Sequence, residues 1–226
     1  MLPFSKIFRS SVGKKYLMAI TGLAMVIFLI EHLTGNLLLY STNPDPYNQY
    51  AHFLISFGGI LYVAEFILIG ILLSHAFSGI SVARGRKKAR PVAYSKTGNA
   101  GGASRKTTSS MTMIFTGALL FIFIVGHIRT FKFGPVYTAT VDGEQMRDLH
   151  ALVWETFKSP LYVIWYVVTL ALLGFHLRHG FWSAFQSMGL NHPKYSPIIY
   201  SLGILIVLVM AIGFIGIPIW IFITGA

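Results

Sequence analysis

Five apolar runs dominate the chain, at about 15–40, 57–82, 110–130, 160–187 and 197–222. Crossing a hydrocarbon core of about 30 Å takes about 20 apolar residues in a helix. Each run therefore predicts a transmembrane helix. The first is too long for a signal-peptide apolar region, and no small-x-small cleavage site follows it. Between runs three and four, "DGEQMRDLHALVWETFKSP" repeats Met146, Leu149, His150, Val153, Trp154 and Phe157 at helical spacing, with charges opposite. That pattern predicts a short amphipathic helix lying on the outer surface. Pro160 stands where run four begins, a good first-turn position. Residues 41–56 read as a loop, and "GRKKARPVAYSKTGNAGGASRKTTSS" as a polar, basic connection. No internal repeat is evident. Residues 1–226 read as a single all-α transmembrane domain of five helices, four of them carrying the chemistry described below.

Composition places the chain in the membrane class: 54% of its 226 residues are hydrophobic and 11% charged, with mean hydropathy +0.66. The placement of its net charge of +11 is more informative than the size. Lys6, Arg9, Lys14 and Lys15 precede the first run, and Arg84, Arg86, Lys87, Lys88, Arg90, Lys96, Arg105 and Lys106 fill the 83–109 interval, whereas 41–56 holds no Lys or Arg. By the positive-inside rule the N-terminus and the 83–109 interval are cytoplasmic and the C-terminus is outside. These charges set topology, meet lipid head groups and offer a docking surface to a soluble partner; nucleic-acid binding is not indicated. The absence of cysteine excludes disulfides, iron–sulfur ligation by this chain and covalent c-type haem, but not a haem held by histidines.

Eight histidines occur, at 32, 52, 75, 127, 150, 176, 179 and 192. His32, His75, His127 and His176 lie deep in the first four runs, 16 or 17 residues from the respective helix starts at Lys15, Gly58, Ser110 and Pro160. At 1.5 Å per residue each is roughly 25 Å from its own start. Because successive helices alternate in direction, His32 and His127 share an outer layer, and His75 and His176 an inner one. Two opposed imidazoles at one depth are what a six-coordinate haem iron needs beyond its four porphyrin nitrogens, and neutral imidazole ligates without a charge to desolvate. Small residues accompany them: Gly35, Gly79, Gly126 and Gly180 would leave room for a flat macrocycle, or else allow close helix packing. His52 in its loop, His150 on the amphipathic helix and His192 near the cytoplasmic face read as structural. A membrane di-iron oxygenase would cluster its histidines in cytoplasmic boxes; only "HLRH", 176–179, comes close.

"IEHLTGN", "LLSHAFSG", "FIVGHIRT" and "LLGFHLRHGFWS", in that order, with "YNQYAHF" before span two and "SPLY" before span four, resemble the dihaem cytochrome b558 membrane subunit of succinate dehydrogenase/fumarate reductase, of the single-chain, five-helix type. The resemblance covers nearly the whole chain. It implies that His32 and His127 hold a distal haem b, and His75 and His176 a proximal one, with His179 unassigned. It implies a subunit of the bacterial cytoplasmic (inner) membrane that anchors a flavoprotein and an iron–sulfur protein on the cytoplasmic face. Electrons would pass between these and a quinone, menaquinone or ubiquinone. Some members carry an acidic residue two before the fourth ligand, linked to proton movement; here that position is Gly174. Alternatives are a dihaem anchor of a hydrogenase or formate dehydrogenase, and a haem-free transporter with proton-carrying histidines.

Charged residues inside the spans carry further expectations, since each costs on the order of 2.5–3.5 kcal/mol at mid-bilayer on insertion scales. Glu31 should face protein or a wet outer cavity rather than lipid. Glu65 is either a proton-handling group or a buried hydrogen-bond partner. Arg178 pairs with an inner-haem propionate or snorkels, and Arg129 is its outer mirror. Trp154 and His150 lie at the depth where a quinone head would approach the distal haem, an interfacial belt residue being the simpler account of Trp154.

Overall fold

The computed structural model describes residues 10–89, 92 and 107–225, except the side chains of 86 and 87. "MLPFSKIF" and the basic positions 90, 96, 105 and 106 lie outside the described residues. In chain order the elements are α1 (Ser11–Asn36) with a 3₁₀ turn (Leu37–Tyr40), α2 (Asp45–Ser56), α3 (Gly59–Ala89), α4 (Thr108–Phe131), β1 (Thr138–Val141), β2 (Glu144–Arg147), α5 (Leu149–Phe157), α6 (Pro160–Ser187) and α7 (Ser196–Thr224). Five segments are long and apolar enough to cross a membrane, and they coincide with the five apolar runs: Ser11–Tyr40, Gly59–Gly85, Thr108–Phe131, Pro160–Ser187 and Ser196–Thr224.

Helix starts follow local chemistry. The Ser10 side chain accepts from Gly13 N–H at 3.0 Å. Thr107 and Ser110 cap α4 reciprocally, each side chain accepting the other's backbone N–H, at 3.1 and 2.9 Å. Asp148 Oδ1 accepts from Ala151 N–H at 2.9 Å to start α5. Pro160 takes the predicted first-turn place in α6. Pro218 lies inside α7, fully buried against the bundle, where its ring removes one backbone donor.

Helix α1 packs against α3 on one side and α6 on the other, α4 lies along α6, and α7 lies along α6 and part of α1. Helices α3 and α4 touch only sparsely. The four histidine-bearing spans are thus an open set with a gap between α3 and α4, and α7, which has no histidine, braces it. Small residues seat α7: a Cβ at Gly213 would lie 2.7 Å from Leu33 Cδ1, and one at Gly203 2.8 Å from Phe181 Cδ1.

Two intervals depart from the predicted pattern. Residues 41–56 are not a loop: 45–56 form α2, so His52 is helical, half-exposed and 3.8 Å from the Glu144 carboxylate. Gly58, at φ +55°, makes the turn into α3. The predicted amphipathic helix is shorter than its pattern, because 138–147 form a hairpin with Val141 opposite Glu144. Asp142 and Gly143 supply the two positive φ angles, 52° and 81°, that a two-residue hairpin turn requires. Met146 therefore lies on β2, buried, rather than on a helix.

Helix α5 is also not laid on the surface. His150, Leu152, Val153 and Phe157 are buried. Asn48, fully buried, donates to Asp148 Oδ1 at 2.8 Å and accepts from His150 N–H at 2.9 Å. The Ser41 carbonyl, 3.2 Å from His150 Nε2, can only accept, so that nitrogen carries the hydrogen. The ring stacks on half-buried Trp154 at 5.1 Å. Burial pushes the Tyr47 phenol upward; it stays protonated and donates to Asn36 Oδ1 at 3.4 Å. At the opposite end Tyr16 donates to the Met188 carbonyl at 3.2 Å, beside Lys14, Lys15, His192 and Lys194. The ends are called outer (hairpin) and inner below, after the orientation the charges predict.

Candidate functional site

The structure brings the four predicted histidines together as two pairs. The His32 and His127 ring centroids lie 5.8 Å apart, with planes at 84°. Those of His75 and His176 lie 6.3 Å apart, at 62°. A metal–imidazole nitrogen bond is about 2 Å and the ring centroid about 1 Å further, so two imidazoles on opposite sides of one metal have centroids about 6 Å apart. Both pairs meet that spacing. The layers are separated along α1: His75 faces Thr21 and Gly22, 11 and 10 residues before His32, a rise of roughly 16 Å.

Three of the four rings have a hydrogen-bond partner at Nδ1. His75 Nδ1 is 3.0 Å from the Met18 carbonyl, an acceptor only, so Nδ1 carries the hydrogen and Nε2 the lone pair. His176 Nδ1 is 3.1 Å from Thr116 Oγ1, and His127 Nδ1 3.0 Å from the Tyr166 phenol. Partners at the remote nitrogen fix ring orientation and raise ligand basicity in metal sites. His32 is held by rings instead, stacked on Phe28 at 5.4 Å and tilted against Phe214 at 5.9 Å. Phe123 and Phe131 flank His127 at 5.8 and 5.2 Å.

Space for a flat group is present. Gly126 and Gly180 have no neighbouring atoms where a Cβ would stand. A cleft of about 300 Å³ opens beside His127, lined by Gly126, Thr130, Leu161, Tyr162, Trp165 and Tyr166. Gly35 does not serve this purpose: its missing Cβ admits the Tyr50 ring. The paired imidazoles and open glycines are of the kind that would hold an iron porphyrin at each level. Bound there, haem would supply a one-electron couple.

The remaining sequence candidates separate. Glu65 pairs with Lys132, joining α3 to α4 at the outer end, and Lys132 Nζ lies 5.6 Å from the Tyr62 ring centroid. Glu65 is thus an ion-pair partner. Glu31 is exposed, pointing out of the bundle rather than into protein. Arg178 donates to the Tyr200 phenol at 3.3 Å, linking α6 to α7, and Arg129 is exposed. His179 is half-buried one turn from His176, but the ring that meets His75 is that of His176. His192 accepts from Lys194 N–H at 3.2 Å, capping a turn. Tyr166, Thr21 and Thr116 had no signal of their own in the sequence, because a hydroxyl in an apolar span ordinarily bonds its own helix backbone.

The fold is that of an all-α, five-span membrane protein. Over 191 residues the chain is 25% identical to the succinate dehydrogenase cytochrome b558 subunit of Bacillus subtilis (strain 168), a match covering 84% of this chain and 85% of that protein. No family profile matches the chain, and no solved structure matches it.

Proposed function

We propose that residues 1–226 form the membrane-anchor electron-transfer subunit of a succinate:quinone oxidoreductase or quinol:fumarate reductase in a bacterial cytoplasmic membrane. His32 and His127 hold an outer haem b, and His75 and His176 an inner one. The observation that carries this reading is the two opposed imidazole pairs, each near the 6 Å spacing of axial ligands, on four helices fit to cross a membrane. Similarity to a succinate dehydrogenase cytochrome b558 subunit along most of both chains supports it.

The dicarboxylate chemistry belongs to a flavoprotein and an iron–sulfur protein docked on the cytoplasmic face. This chain brings cations to that face: Arg84 and Lys88 are exposed at the end of α3, with more basic positions following. The quinone, menaquinone or ubiquinone, approaches the outer pair through the cleft beside His127. That cleft lies on the membrane flank of α4 and α6, whereas His150 is locked in the outer cap.

A reduced-minus-oxidised spectrum of the purified complex tests the haems: a sharp haem b α-band, with two haems per chain by pyridine haemochrome, is expected, and no band would end the reading. Co-purification tests the assignment. A succinate-oxidising flavoprotein is expected; a hydrogenase or formate dehydrogenase large subunit would mean a different respiratory anchor. Neutralising Arg84, Arg86, Lys87 and Lys88 together should weaken flavoprotein retention at moderate salt with haem content intact.

A further inference from the structure

Spans one and three contain the same dipeptide at the same distance from their histidines: Thr21-Gly22 before His32 and Thr116-Gly117 before His127, with 11 residues from each Thr to its His. In the structure neither dipeptide serves the histidine of its own helix. Each meets the inner histidine of the next span in the chain. Thr21 Oγ1 is 3.4 Å from His75 Nδ1, and Thr116 Oγ1 is 3.1 Å from His176 Nδ1. A Cβ on Gly22 would lie 3.1 Å from His75 Cε1, and one on Gly117 3.4 Å from His176 Cε1.

The direction of these bonds follows from counting hydrogens. A hydroxyl has one. Thr21 gives its hydrogen to the Leu17 carbonyl at 2.6 Å, and Thr116 shares its own between the Thr112 and Met113 carbonyls at 3.1 and 3.2 Å. Each oxygen then faces imidazole with lone pairs alone, so the bond runs from Nδ1–H to Oγ1. A neutral imidazole with its hydrogen at Nδ1 has its lone pair at Nε2, the tautomer that ligates a metal. The adjacent glycine admits the ring edge at the plane this bond selects.

We propose that Thr21-Gly22 and Thr116-Gly117 are twin positioning sites for the inner haem, setting the tautomer and ring plane of His75 and His176 from the helices that carry the outer ligands. The proposal rests on the haem reading above. It also gives the chain an internal repeat that its sequence does not display as such: α1 with α3, and α4 with α6, are two copies of one arrangement. In each copy the first span holds the outer ligand and, roughly 16 Å earlier, the seat for the inner ligand of the second. The copies differ in one respect. His75 keeps a second acceptor, the Met18 carbonyl at 3.0 Å, which His176 lacks among the described residues.

The test uses the intact complex carrying Thr116→Val, Thr21→Val, Thr116→Ser or Gly22→Ala. It reads haem count, both midpoint potentials and the low-spin ferric resonances. Valine keeps the shape of threonine and removes the acceptor. A lost acceptor makes imidazole less basic and ferric iron less favoured, so Thr116→Val should raise the inner-haem midpoint and move its resonance, leaving the outer haem unchanged. Thr21→Val should do the same by less, because Met18 remains, and Thr116→Ser should restore the parent values. Gly22→Ala keeps both hydroxyls and should alter the inner resonance by turning His75; it serves if Thr116→Val does not accumulate. Unchanged inner-haem signals in Thr116→Val or Gly22→Ala, or equal shifts in Thr116→Val and Thr116→Ser, overturn the inference while the haems stand. No haem in the unsubstituted complex removes the underlying reading, and this one with it.

Discussion

Tyr166 holds its phenol oxygen 3.0 Å from His127 Nδ1, and it does so from inside an aromatic packet, with ring centroids 4.8 Å from Phe123 and 4.9 Å from Phe157. The packing leaves the phenol little freedom to turn away. If His127 ligates through Nε2, its Nδ1–H must donate to this oxygen. Tyr166→Phe should keep both haems, raise the outer midpoint by removing an acceptor and leave the inner one in place. Potentiometric titration at two wavelengths separates them; a shift confined to the inner haem would contradict the pairing of layers.

The two ring pairs make a sharper prediction about haem loss. His75→Ala and His176→Ala should each remove the same haem, and His32→Ala and His127→Ala the other, by haemochrome counting and by the spectrum that remains. His179→Ala should retain two haems. A His179→Ala variant that loses a haem while His176→Ala stays replete would transfer the fourth ligand role to His179.

Glu65 and Lys132 join α3 and α4, which otherwise touch only sparsely. Their side chains are 33% and 40% exposed, and a pair so placed contributes about 0–1 kcal/mol. Glu65→Gln and Lys132→Gln should therefore change thermal stability slightly and keep both haems. Loss of the outer haem in either variant would show that the ion pair closes the gap around it.

Asn48 joins α2 to the start of α5 in the outer cap, through Asp148 and the His150 backbone. Asn48→Ala leaves buried groups unpaired, at about 1–3 kcal/mol. Limited proteolysis should then cut near 138–147 faster than in the parent, with haem content unchanged. An unaltered cleavage rate would mean that the hairpin is held without Asn48.

Much of this architecture is legible along the chain. Uninterrupted apolar length specifies the five spans, because hydrocarbon admits only helices that satisfy their own backbone. The equal depths of His32, His75, His127 and His176 give the two layers, because alternating helices turn a count of residues into a height. The Asp142-Gly143 pair is equally local, although the apolar spacing of Met146 with Leu149 and Val153 conceals it: a strand and a helix can both present an apolar residue at such intervals. Residues 45–56 are polar enough to pass for a loop, and it is the burial of Tyr47, Asn48 and Ala51 that makes them a helix.

What surrounds each imidazole was decided by tertiary structure. Thr116 and His176 are 60 residues apart, and Tyr166 and His127 are 39; no local pattern links such positions, since a hydroxyl in an apolar helix looks the same whether it bonds its own backbone alone or also receives a ring. The same holds for glycine. Gly35, beside a candidate ligand in sequence, admits Tyr50, whereas Gly22 and Gly117, distant from any histidine in sequence, admit the rings of His75 and His176. Sequence determined how deep each histidine lies, because depth is rise along one helix. Only packing determined which face of the next helix it meets, because that depends on the rotation and crossing of two.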